Sequence, residues 1–331
     1  MDEFRVKVNN GEKIIRCRAG ANLREVLLSE GIELGVCGGR GVCGKCSVKT
    51  DASGELTDAE KNQQAKGRLE DGQRLACQVD VQGDISVELE GHLEGVNTFK
   101  AVCREITSLT SDIRLFRFEV EGEPLDYRPG QYVLLTVPAY ECSERPVTRT
   151  FSIASDPADK SQFELIIRQT PNGLCTKYLF EHLKEGEVIE FEGPEGDFGL
   201  TQSSRPAVMI AGGSGMSSIR NLLFEMKNAG DERPATYFFG AETEDDIYML
   251  DEMREFEKTI PNFKFVPVIH HPSDSWHGQT GLVTDALKQR CSNLSSCEAF
   301  LCGSPGMINA SIDVLKSLGV SGQNIYYDSF G

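Results

Sequence analysis

The sequence predicts a multidomain protein of mixed α+β and α/β class with three domains in succession. Residues 1–95 combine short strands, two helical stretches and a loop rich in glycine and cysteine, which together predict a small mixed α+β domain. Residues 97–202 hold six short strands separated by glycine and proline, a pattern typical of an antiparallel barrel. Residues 203–331 alternate strands with helices, which predicts a parallel sheet covered by helices on both faces.

Composition and charge exclude several classes of protein. The formal net charge of −17 argues against nucleic acid and anionic membranes as partners, because both require a basic surface. No apolar run approaches the roughly 18 residues of a membrane span, and the N-terminal residues lack the features of a signal peptide. We therefore expect a cytoplasmic protein, in which the eleven cysteines are metal ligands, catalytic groups or buried apolar residues rather than disulfides.

The elements of the first domain follow from local patterns. Segments with alternating apolar residues predict strands at Phe4–Val8, Lys13–Cys17, Ser47–Thr50 and Asp84–Leu89. Residues 22–29 predict a helix, because their apolar side chains would share one face. Thr57 and Glu60 have the spacing of a capping box, so a second, polar helix is expected to begin there.

Three cysteines lie in the loop CGGRGVCGKC, at Cys37, Cys43 and Cys46, and a fourth, Cys77, follows further along the chain. A [2Fe–2S] cluster needs four thiolates, and a tight loop can supply three of them. The glycines allow backbone N–H groups to point at the sulfurs and offset their negative charge. A zinc site with four cysteines usually consists of two C-x2-C pairs, whereas this chain has one such pair and an isolated Cys77. The spacing therefore favours a [2Fe–2S] cluster over zinc or over buried structural cysteines.

On these residues the first domain resembles plant-type and adrenodoxin-type ferredoxins. The stretches 56–60 and 74–78 are similar to the ferredoxin domain of the F subunit of the sodium-pumping NADH:quinone reductase, and to the N-terminal ferredoxin of corrinoid-protein reactivators. The resemblance implies a β-grasp fold for residues 1–95. The gap of five residues between Cys37 and Cys43 differs from the gap of four in most oxygenase reductases.

The second domain carries two short motifs that suit a flavin. Its strands are predicted at Ala101–Ile106, Ile113–Val120, Tyr132–Val137, Thr150–Ala154, Phe163–Arg168 and Glu187–Glu192. At 149–152 an arginine can neutralise a phosphate, an aromatic ring can pack on a flavin and a serine hydroxyl can reach a ring nitrogen. Residues 173–176 open a helical run over 177–183, and a helix N-terminus suits a phosphate. Taken alone, the first motif is equally compatible with an edge strand that carries a surface arginine.

The two motifs resemble R-x-[YF]-S and G-x-x-[ST], which hold the flavin in the ferredoxin–NADP reductase superfamily. The resemblance implies that Arg149 and Thr176 bind a pyrophosphate, that Phe151 and Ser152 face the isoalloxazine ring, and that Cys175 has a packing role. FAD rather than FMN rests on the resemblance, because Arg149 and Thr176 could also hold a single phosphate. The candidate flavin-binding residues are Arg149, Thr150, Phe151, Ser152, Gly173, Leu174, Cys175 and Thr176.

A glycine turn between an apolar strand and a helix marks the third domain. Such a turn lets backbone N–H groups approach a pyrophosphate, although the pattern is not G-x-G-x-x-G. It resembles the A-G-G-[TS]-G motif of the same superfamily, with Ser218 where that family usually has a proline. The candidate nucleotide-binding residues of this turn are Gly212, Gly213, Ser214, Gly215 and Met216.

Glu242 follows the second strand of this domain, where the superfamily contacts the adenosine ribose. An acid here would repel a 2′-phosphate and could accept a hydrogen bond from a 2′-hydroxyl, so we expect NADH rather than NADPH. The other interpretation is a solvated acidic residue near a helix N-terminus. His270, His271 and His277 do not have the spacing of a helix-borne ligand pair, so we interpret them as cleft-lining or exposed loop residues rather than metal ligands.

The segment that begins at Cys302 resembles the C-G-P-P-x-M motif of the superfamily, which implies that this cysteine lies beside the nicotinamide. Asp328 and Phe330 are similar to an acid and an aromatic residue that the family places near the flavin at its C-terminus. Ser152, Cys302 and Asp328 would then surround the hydride path.

The three domains in this order predict an NADH-dependent reductase. NADH would deliver a hydride to FAD, and electrons would pass singly through the cluster to a partner protein. We expect an oxygenase component as the acceptor, with a corrinoid protein or another anaerobic acceptor as the alternative; the missing N-terminal anchor disfavours a component of a membrane quinone pump. Arg40 and Lys45 are candidate docking contacts for an acidic partner patch. The alternative from another class is a non-enzymatic redox sensor or ferredoxin-like binding module.

Overall fold

The computed structural model describes residues 3–32, 34, 39, 41, 44, 46–65, 67–89 and 98–330. The chain forms two compact units, one of Met1–Asn97 with Thr148–Thr150 and the other of Thr98–Val147 with Phe151–Gly331. None of the described helices has the length and apolar character that a membrane crossing requires.

The first unit is built on a mixed sheet of five strands in the order β2-β1-β5-β3-β4. Its elements are β1 (Glu3–Val8), β2 (Lys13–Arg18), α1 (Leu23–Ser29), β3 (Ser47–Thr50), α2 (Asp58–Ala65), β4 (Gln73–Leu75) and β5 (Ile85–Glu88). β1 pairs antiparallel with β2 and parallel with β5. Leu23 and Leu27 of α1 are fully buried in the same core as Val6 of β1. The predicted α+β domain with a β-grasp fold is confirmed.

The helix α2 begins at the predicted capping box. Thr57 N donates to Glu60 Oε2 at 2.8 Å, and Glu60 N donates to Thr57 Oγ1 at 3.2 Å. The fully buried Glu60 carboxylate also accepts hydrogen bonds from Arg74 Nε at 2.8 Å and Leu75 N at 3.0 Å. Burial opposes the charge of Glu60, but these hydrogen bonds outweigh it and hold the pKa of the carboxyl below its ordinary value. The ion pair ties α2 to β4, the strand that ends just before Cys77.

The second unit begins with an antiparallel sheet of six strands in the order β10-β7-β6-β11-β8-β9. Its elements are β6 (Thr98–Ser108), β7 (Ile113–Val120), β8 (Tyr132–Val137), β9 (Val147–Ser152), β10 (Gln162–Arg168), α3 (Leu174–Glu181) and β11 (Val188–Glu195). A bridge between Ile153, just after β9, and Leu165 of β10 joins the two outer strands and closes the sheet. Buried aromatic rings fill the interior, where Phe118 and Phe163 stack with centroids 5.2 Å apart. The predicted six-stranded antiparallel barrel is confirmed.

The rest of the second unit is a parallel sheet of six strands in the order β15-β14-β13-β12-β16-β17. Its elements are β12 (Ala207–Gly212), α4 (Met216–Ala229), β13 (Ala235–Ala241), α5 (Leu250–Thr259), β14 (Phe263–Ile269), β15 (Gln279–Thr280), α6 (Val283–Arg290), β16 (Glu298–Gly303), α7 (Pro305–Ser317) and β17 (Ile325–Ser329). Successive residues of β12 face opposite sides: Met209 packs in the core with α4 and α5, and Ile210 packs in the core with α6 and α7. Helices therefore cover both faces, as predicted.

Two adjacent residues of α4 attach the parallel sheet to the barrel. The Arg220 guanidinium pairs with Glu164 of β10 and with Glu252 of α5, each at 2.6 Å. Asn221 Nδ2 donates to Ser155 O at 2.6 Å. Because Arg220 and Asn221 are both buried, these bonds fix the first turns of α4 against the barrel.

Candidate functional site

Four polar side chains from four elements meet where the barrel adjoins the parallel strands. Ser152 Oγ, at the end of β9, donates to Asp328 Oδ2 of β17 at 2.8 Å. Ser218 Oγ of α4 donates to the same oxygen at 3.5 Å and accepts a hydrogen bond from Cys302 Sγ of β16 at 3.2 Å. The structure thus brings the three predicted residues together and adds Ser218. We call these four residues the Ser-Cys-Asp group.

The topology fixes the Ser-Cys-Asp group in place. β16 and β17 run parallel with Cys302 paired to Asp328. A Cβ atom at Gly215, in the turn before α4, would lie 2.2 Å from Cys302 O, so this turn approaches β16 as closely as a backbone can. Cys302 and Ser218 are fully buried and Ser152 is 7% exposed. The hydrogen bond between Cys302 and Ser218 therefore lies in a dry environment, where it is electrostatically stronger than in water.

Ser218 is the candidate that the sequence did not indicate. There it appeared as a departure from the family's proline, whereas in the structure its hydroxyl bridges the Cys302 thiol and the Asp328 carboxylate. Serine is mostly an exposed residue in proteins. No local pattern in α4 distinguishes Ser218, because its role depends on contacts with β16 and β17.

The glycine turn after β12 forms a 3₁₀ turn over Gly213–Gly215, and α4 begins at Met216. Gly213 has a φ of +54°, and a Cβ there would lie 2.9 Å from the guanidinium carbon of Arg168. Tyr248 Oη donates to Gly213 O at 2.7 Å, and burial raises the pKa of Tyr248, so its hydroxyl stays a donor. A helix N-terminus with a neighbouring cation suits a pyrophosphate. Sequence reasoning did not assign Arg168 to this site.

The other two candidate nucleotide-binding residues, Glu242 and Phe330, directly follow strands of the same sheet. Glu242 follows β13 with 71% of its side chain exposed, and its Oε2 lies 3.1 Å from His270 Nδ1. Phe330 follows β17, where its N–H donates to Gly303 O at 2.8 Å. Its side chain packs against the core shared with α4 and α5. Glu242 is therefore open to a ligand from solvent, whereas Phe330 is fixed beside β16.

The first flavin motif lies on β9. Phe151 is half-buried and Ser152 is buried at the end of the strand, and Thr150 is half-buried before them. Arg149 is exposed, and its Nη1 donates to Thr148 O at 2.8 Å. An exposed guanidinium beside a partly buried aromatic ring has the chemistry that the resemblance requires of a flavin phosphate contact.

The second flavin motif forms the turn before α3. Thr176 Oγ1 accepts a hydrogen bond from Thr170 N at 3.1 Å and donates to Gly173 O at 3.2 Å, so this hydroxyl stabilises the turn itself. A Cβ atom at Gly173 would lie 2.7 Å from that hydroxyl oxygen. Cys175 is buried in the barrel core, which is a packing role, and Leu174 is 37% exposed.

Two of the predicted cluster ligands, Cys46 and Cys77, belong to the described part of the chain. Outside it lie the other predicted ligands and docking contacts, Cys37, Cys43, Arg40 and Lys45. Ala76 N donates to Cys46 O at 2.9 Å, which joins the two segments that carry the described cysteines.

The described residues of the cysteine loop suit a [2Fe–2S] cluster. Gly39, Gly41 and Gly44 have φ values of +84°, +69° and +72°, in the region that favours glycine. Gln78 Nε2 donates to Gly39 O at 2.7 Å and lies 3.6 Å from Cys77 Sγ. Thiol ligands, a glycine backbone and an amide donor beside a sulfur are the features that such a cluster uses.

Three protein-family models match the chain in the predicted order. The 2Fe-2S iron-sulfur cluster binding domain matches residues 6–82. The oxidoreductase FAD-binding domain matches residues 100–199, and the oxidoreductase NAD-binding domain matches residues 209–313. They define the class of protein as an oxidoreductase that combines an iron–sulfur cluster, FAD and a nicotinamide nucleotide. The exact limits of the domains, 1–95, 97–202 and 203–331, stay predictions.

Named proteins match nearly the whole chain. The phenol hydroxylase P5 protein of Acinetobacter pittii is 30% identical over 319 residues, which cover 92% of this chain and 88% of that protein. The F subunit of the Na⁺-translocating NADH-quinone reductase of Neisseria meningitidis is 27% identical over 374 residues, which cover 99% of this chain and 92% of that protein. The structure of the Amycolatopsis cytochrome P450 reductase GcoB superposes with a TM-score of 0.70 at 27% identity, covering 99% of this chain and 98% of that one.

The chain therefore belongs to the family of iron–sulfur flavoprotein reductases that carry 2Fe-2S, FAD-binding and NAD-binding domains. It is an NAD(P)H-dependent oxidoreductase, and the predicted cofactors, a [2Fe–2S] cluster, FAD and NADH, are confirmed at the level of these domains.

Proposed function

We propose that this reductase takes a hydride from NADH at the Ser-Cys-Asp group and supplies single electrons to an oxygenase component. The observation that carries the proposal is the chain of hydrogen bonds that joins the four residues of this group, next to the glycine turn. When bound, FAD accepts the hydride and the [2Fe–2S] cluster carries one electron at a time. The protein residues bind and orient these groups, exclude water and hold a proton.

Ser152 and Asp328 would hold a proton near a bound flavin ring. Ser152 Oγ donates its hydrogen to Asp328 Oδ2, so the lone pairs of Ser152 Oγ can accept a hydrogen bond from a ring N–H. Asp328 is half-buried while Ser152 is buried, so the carboxylate can exchange a proton with solvent while the serine stays inside.

Cys302 and Ser218 exclude water from the nicotinamide side of the group. Both are fully buried, and the Cys302 thiol directs its hydrogen to Ser218 Oγ. The thiol is therefore assigned to the floor of the nicotinamide site, where it is held out of solvent by its hydrogen bond to Ser218.

The phosphates and the ribose of the two nucleotides have separate contacts. Arg149 and the N-terminus of α3 are assigned to the flavin pyrophosphate. The backbone of 212–216 and the nearby Arg168 are assigned to the pyrophosphate of NADH. Glu242, exposed after β13, is assigned to the adenosine ribose, where its charge favours NADH over NADPH.

Similarity to named reductases supports the choice of acceptor. The phenol hydroxylase P5 protein and the cytochrome P450 reductase GcoB both match nearly the whole chain. One specific observation favours a corrinoid protein or another anaerobic acceptor instead, namely the five-residue gap between Cys37 and Cys43.

The first test is an anaerobic titration of the purified protein with NADH, followed by visible absorption and low-temperature paramagnetic resonance. We expect the flavin absorption to bleach together with the appearance of a [2Fe–2S] signal. A colourless protein that contains zinc and does not oxidise NADH would contradict the proposal. Mixing the reduced protein with an oxygenase component or with a corrinoid protein, and timing the loss of the cluster signal, then decides between the two acceptors.

A further inference from the structure

Three side chains of metal-ligand type converge at the carboxyl ends of β13 and β14, away from the Ser-Cys-Asp group. His270 Nδ1 lies 3.1 Å from Glu242 Oε2, and His271 Nε2 lies 3.8 Å from the same oxygen. One ligand atom from each residue lies within 4.8 Å of the others. The spacing of the histidines alone argued against a metal, but the sequence could not show that Glu242 lies beside them.

The backbone holds these three residues in fixed register. His270 N donates to Ala241 O at 2.9 Å, and His271 N donates to Glu242 O at 2.8 Å, which ties the segment after β14 to the end of β13 and the residue that follows it. The two imidazole rings lie with their centroids 4.0 Å apart. Ligands on a paired backbone lose little further freedom when they bind an ion.

We propose that Glu242, His270 and His271 form a binding site for a divalent transition-metal ion of the zinc type. Two imidazole nitrogens and one carboxylate oxygen are a donor set that such ions prefer. Ligand atoms about 2.1 Å from a tetrahedral Zn²⁺ lie roughly 3.4 Å from one another, between the 3.1 Å and 3.8 Å observed. The side chains of Glu242 and His271 are 71% and 68% exposed, which leaves the fourth position to water or a small ligand.

The site has a consequence for activity that rests on the proposed function. Glu242 is also the residue assigned to the adenosine ribose of NADH, and one carboxylate cannot serve both ligands. Bound Zn²⁺ should therefore raise the KM for NADH and leave kcat unchanged.

The test is a calorimetric titration of the holoprotein with ZnCl₂, compared with the variants His271→Ala and Glu242→Gln. Matched controls are His277→Ala, a histidine in the same loop, and Glu244→Gln, whose carboxylate accepts hydrogen bonds from Ser273 instead. Zinc taken up by cysteines elsewhere is common to all five proteins and cancels in the comparison. We expect each ligand variant to weaken binding by about tenfold or more, and the controls to keep the affinity of the original protein.

X-ray absorption spectroscopy of the bound zinc gives the second readout, since the spectrum should show scattering from two imidazole ligands in the original protein and from one in His271→Ala. Equal zinc affinity in all variants, or no binding at millimolar Zn²⁺, would overturn the proposal. If zinc binds and is lost in both ligand variants while the KM for NADH does not respond, the metal site stands and the assigned contact of Glu242 with the ribose fails.

Discussion

Two groups of polar side chains along the carboxyl edge of the parallel sheet find their partners in opposite ways. At the centre, the members of the Ser-Cys-Asp group bond to one another, and Ser218 and Cys302 are fully buried. Beside β13 and β14, Glu242 and His271 are mostly exposed and meet through their side-chain tips. The centre can therefore hold atoms in a fixed arrangement for a reaction, whereas the outer place can exchange ligands with solvent.

The centre owes its rigidity to charges that are buried and paired around it. Arg220, two residues after Ser218 on α4, binds Glu164 of the barrel and Glu252 of α5. Burial opposes the charge of Glu164, but its pairing with Arg220 and Arg117 outweighs burial and holds its pKa below the ordinary value. The contacts of Glu242 with His270 and His271 are exposed, and such contacts contribute little to stability.

The largest expected effect comes from breaking the buried network. Arg220→Met leaves the buried Glu164 with Arg117 as its remaining ion-pair partner and removes the link from Glu164 to Glu252 of α5, so the free energy of unfolding should fall by about 3 kcal/mol. Urea unfolding followed by near-ultraviolet circular dichroism measures it. The exposed pair of Arg254 with Asp251 supplies the control, since Arg254→Met should cost less than about 1 kcal/mol. Equal losses in the two variants would show that the buried network does not stabilise the centre.

Moving the Ser-Cys-Asp group without changing its chemistry should have the next largest effect. Gly215→Ala would put a Cβ atom 2.2 Å from Cys302 O and force α4 away from β16. We expect kcat for NADH oxidation with ferricyanide to fall by about 10- to 100-fold, because displacements on the ångström scale suffice for such losses. Gly306→Ala in α7, where the added Cβ would meet no described atom within 4 Å apart from its chain neighbours and the backbone of its own helix, should leave kcat unchanged. Unaltered kcat in both variants would contradict the close packing of turn and strand.

Removing one hydroxyl from the group should have a smaller effect. Ser218→Ala deletes the bridge between the Cys302 thiol and the Asp328 carboxylate, which is worth about 0.5–1.5 kcal/mol, so anaerobic flavin reduction by NADH should slow by roughly three- to tenfold. Ser311→Ala is the control, because this buried serine has no hydrogen-bond partner among the described residues. Identical rates in the two variants would make Ser218 a packing residue only.

The smallest expected effect lies at the exposed place. Glu242→Gln removes one negative charge that faces solvent, which should raise kcat/KM for NADPH by about fivefold, or about 1 kcal/mol, and change kcat/KM for NADH less. Glu244→Gln, two residues further on, should not relax the preference, because its carboxylate is held by Ser273. A preference for NADH that survives Glu242→Gln would place the discrimination elsewhere.

Much of the fold could be predicted because its patterns are local. Alternating residues, glycine turns and the capping box at Thr57 and Glu60 each span only a few positions. Helix starts were less predictable. α5 begins at Leu250, several residues after the capping box of Thr243 and Asp246, because that box closes a 3₁₀ turn and Met249 then has a φ of +53°.

The candidate sites also differ in how far the sequence could predict them. The spacing of the cysteines pointed to a cluster by itself, because the ligands of the loop are close in sequence. Ser152, Cys302 and Asp328 could be grouped only through resemblance to a family, since their meeting depends on the pairing of distant strands. Neither local spacing nor family resemblance could identify Ser218 or the proximity of Glu242 to His271, because each depends on contacts between elements far apart in the chain.

We propose above all that NADH delivers its hydride at the Ser-Cys-Asp group. Stopped-flow measurement of flavin bleaching by NADH under anaerobic conditions, in Asp328→Asn and in Asp251→Asn as the exposed control, tests it most directly. We expect bleaching to slow by about 100-fold in Asp328→Asn only, while dithionite still produces the [2Fe–2S] signal in both variants. Bleaching at the original rate in Asp328→Asn would show that hydride delivery does not depend on this group.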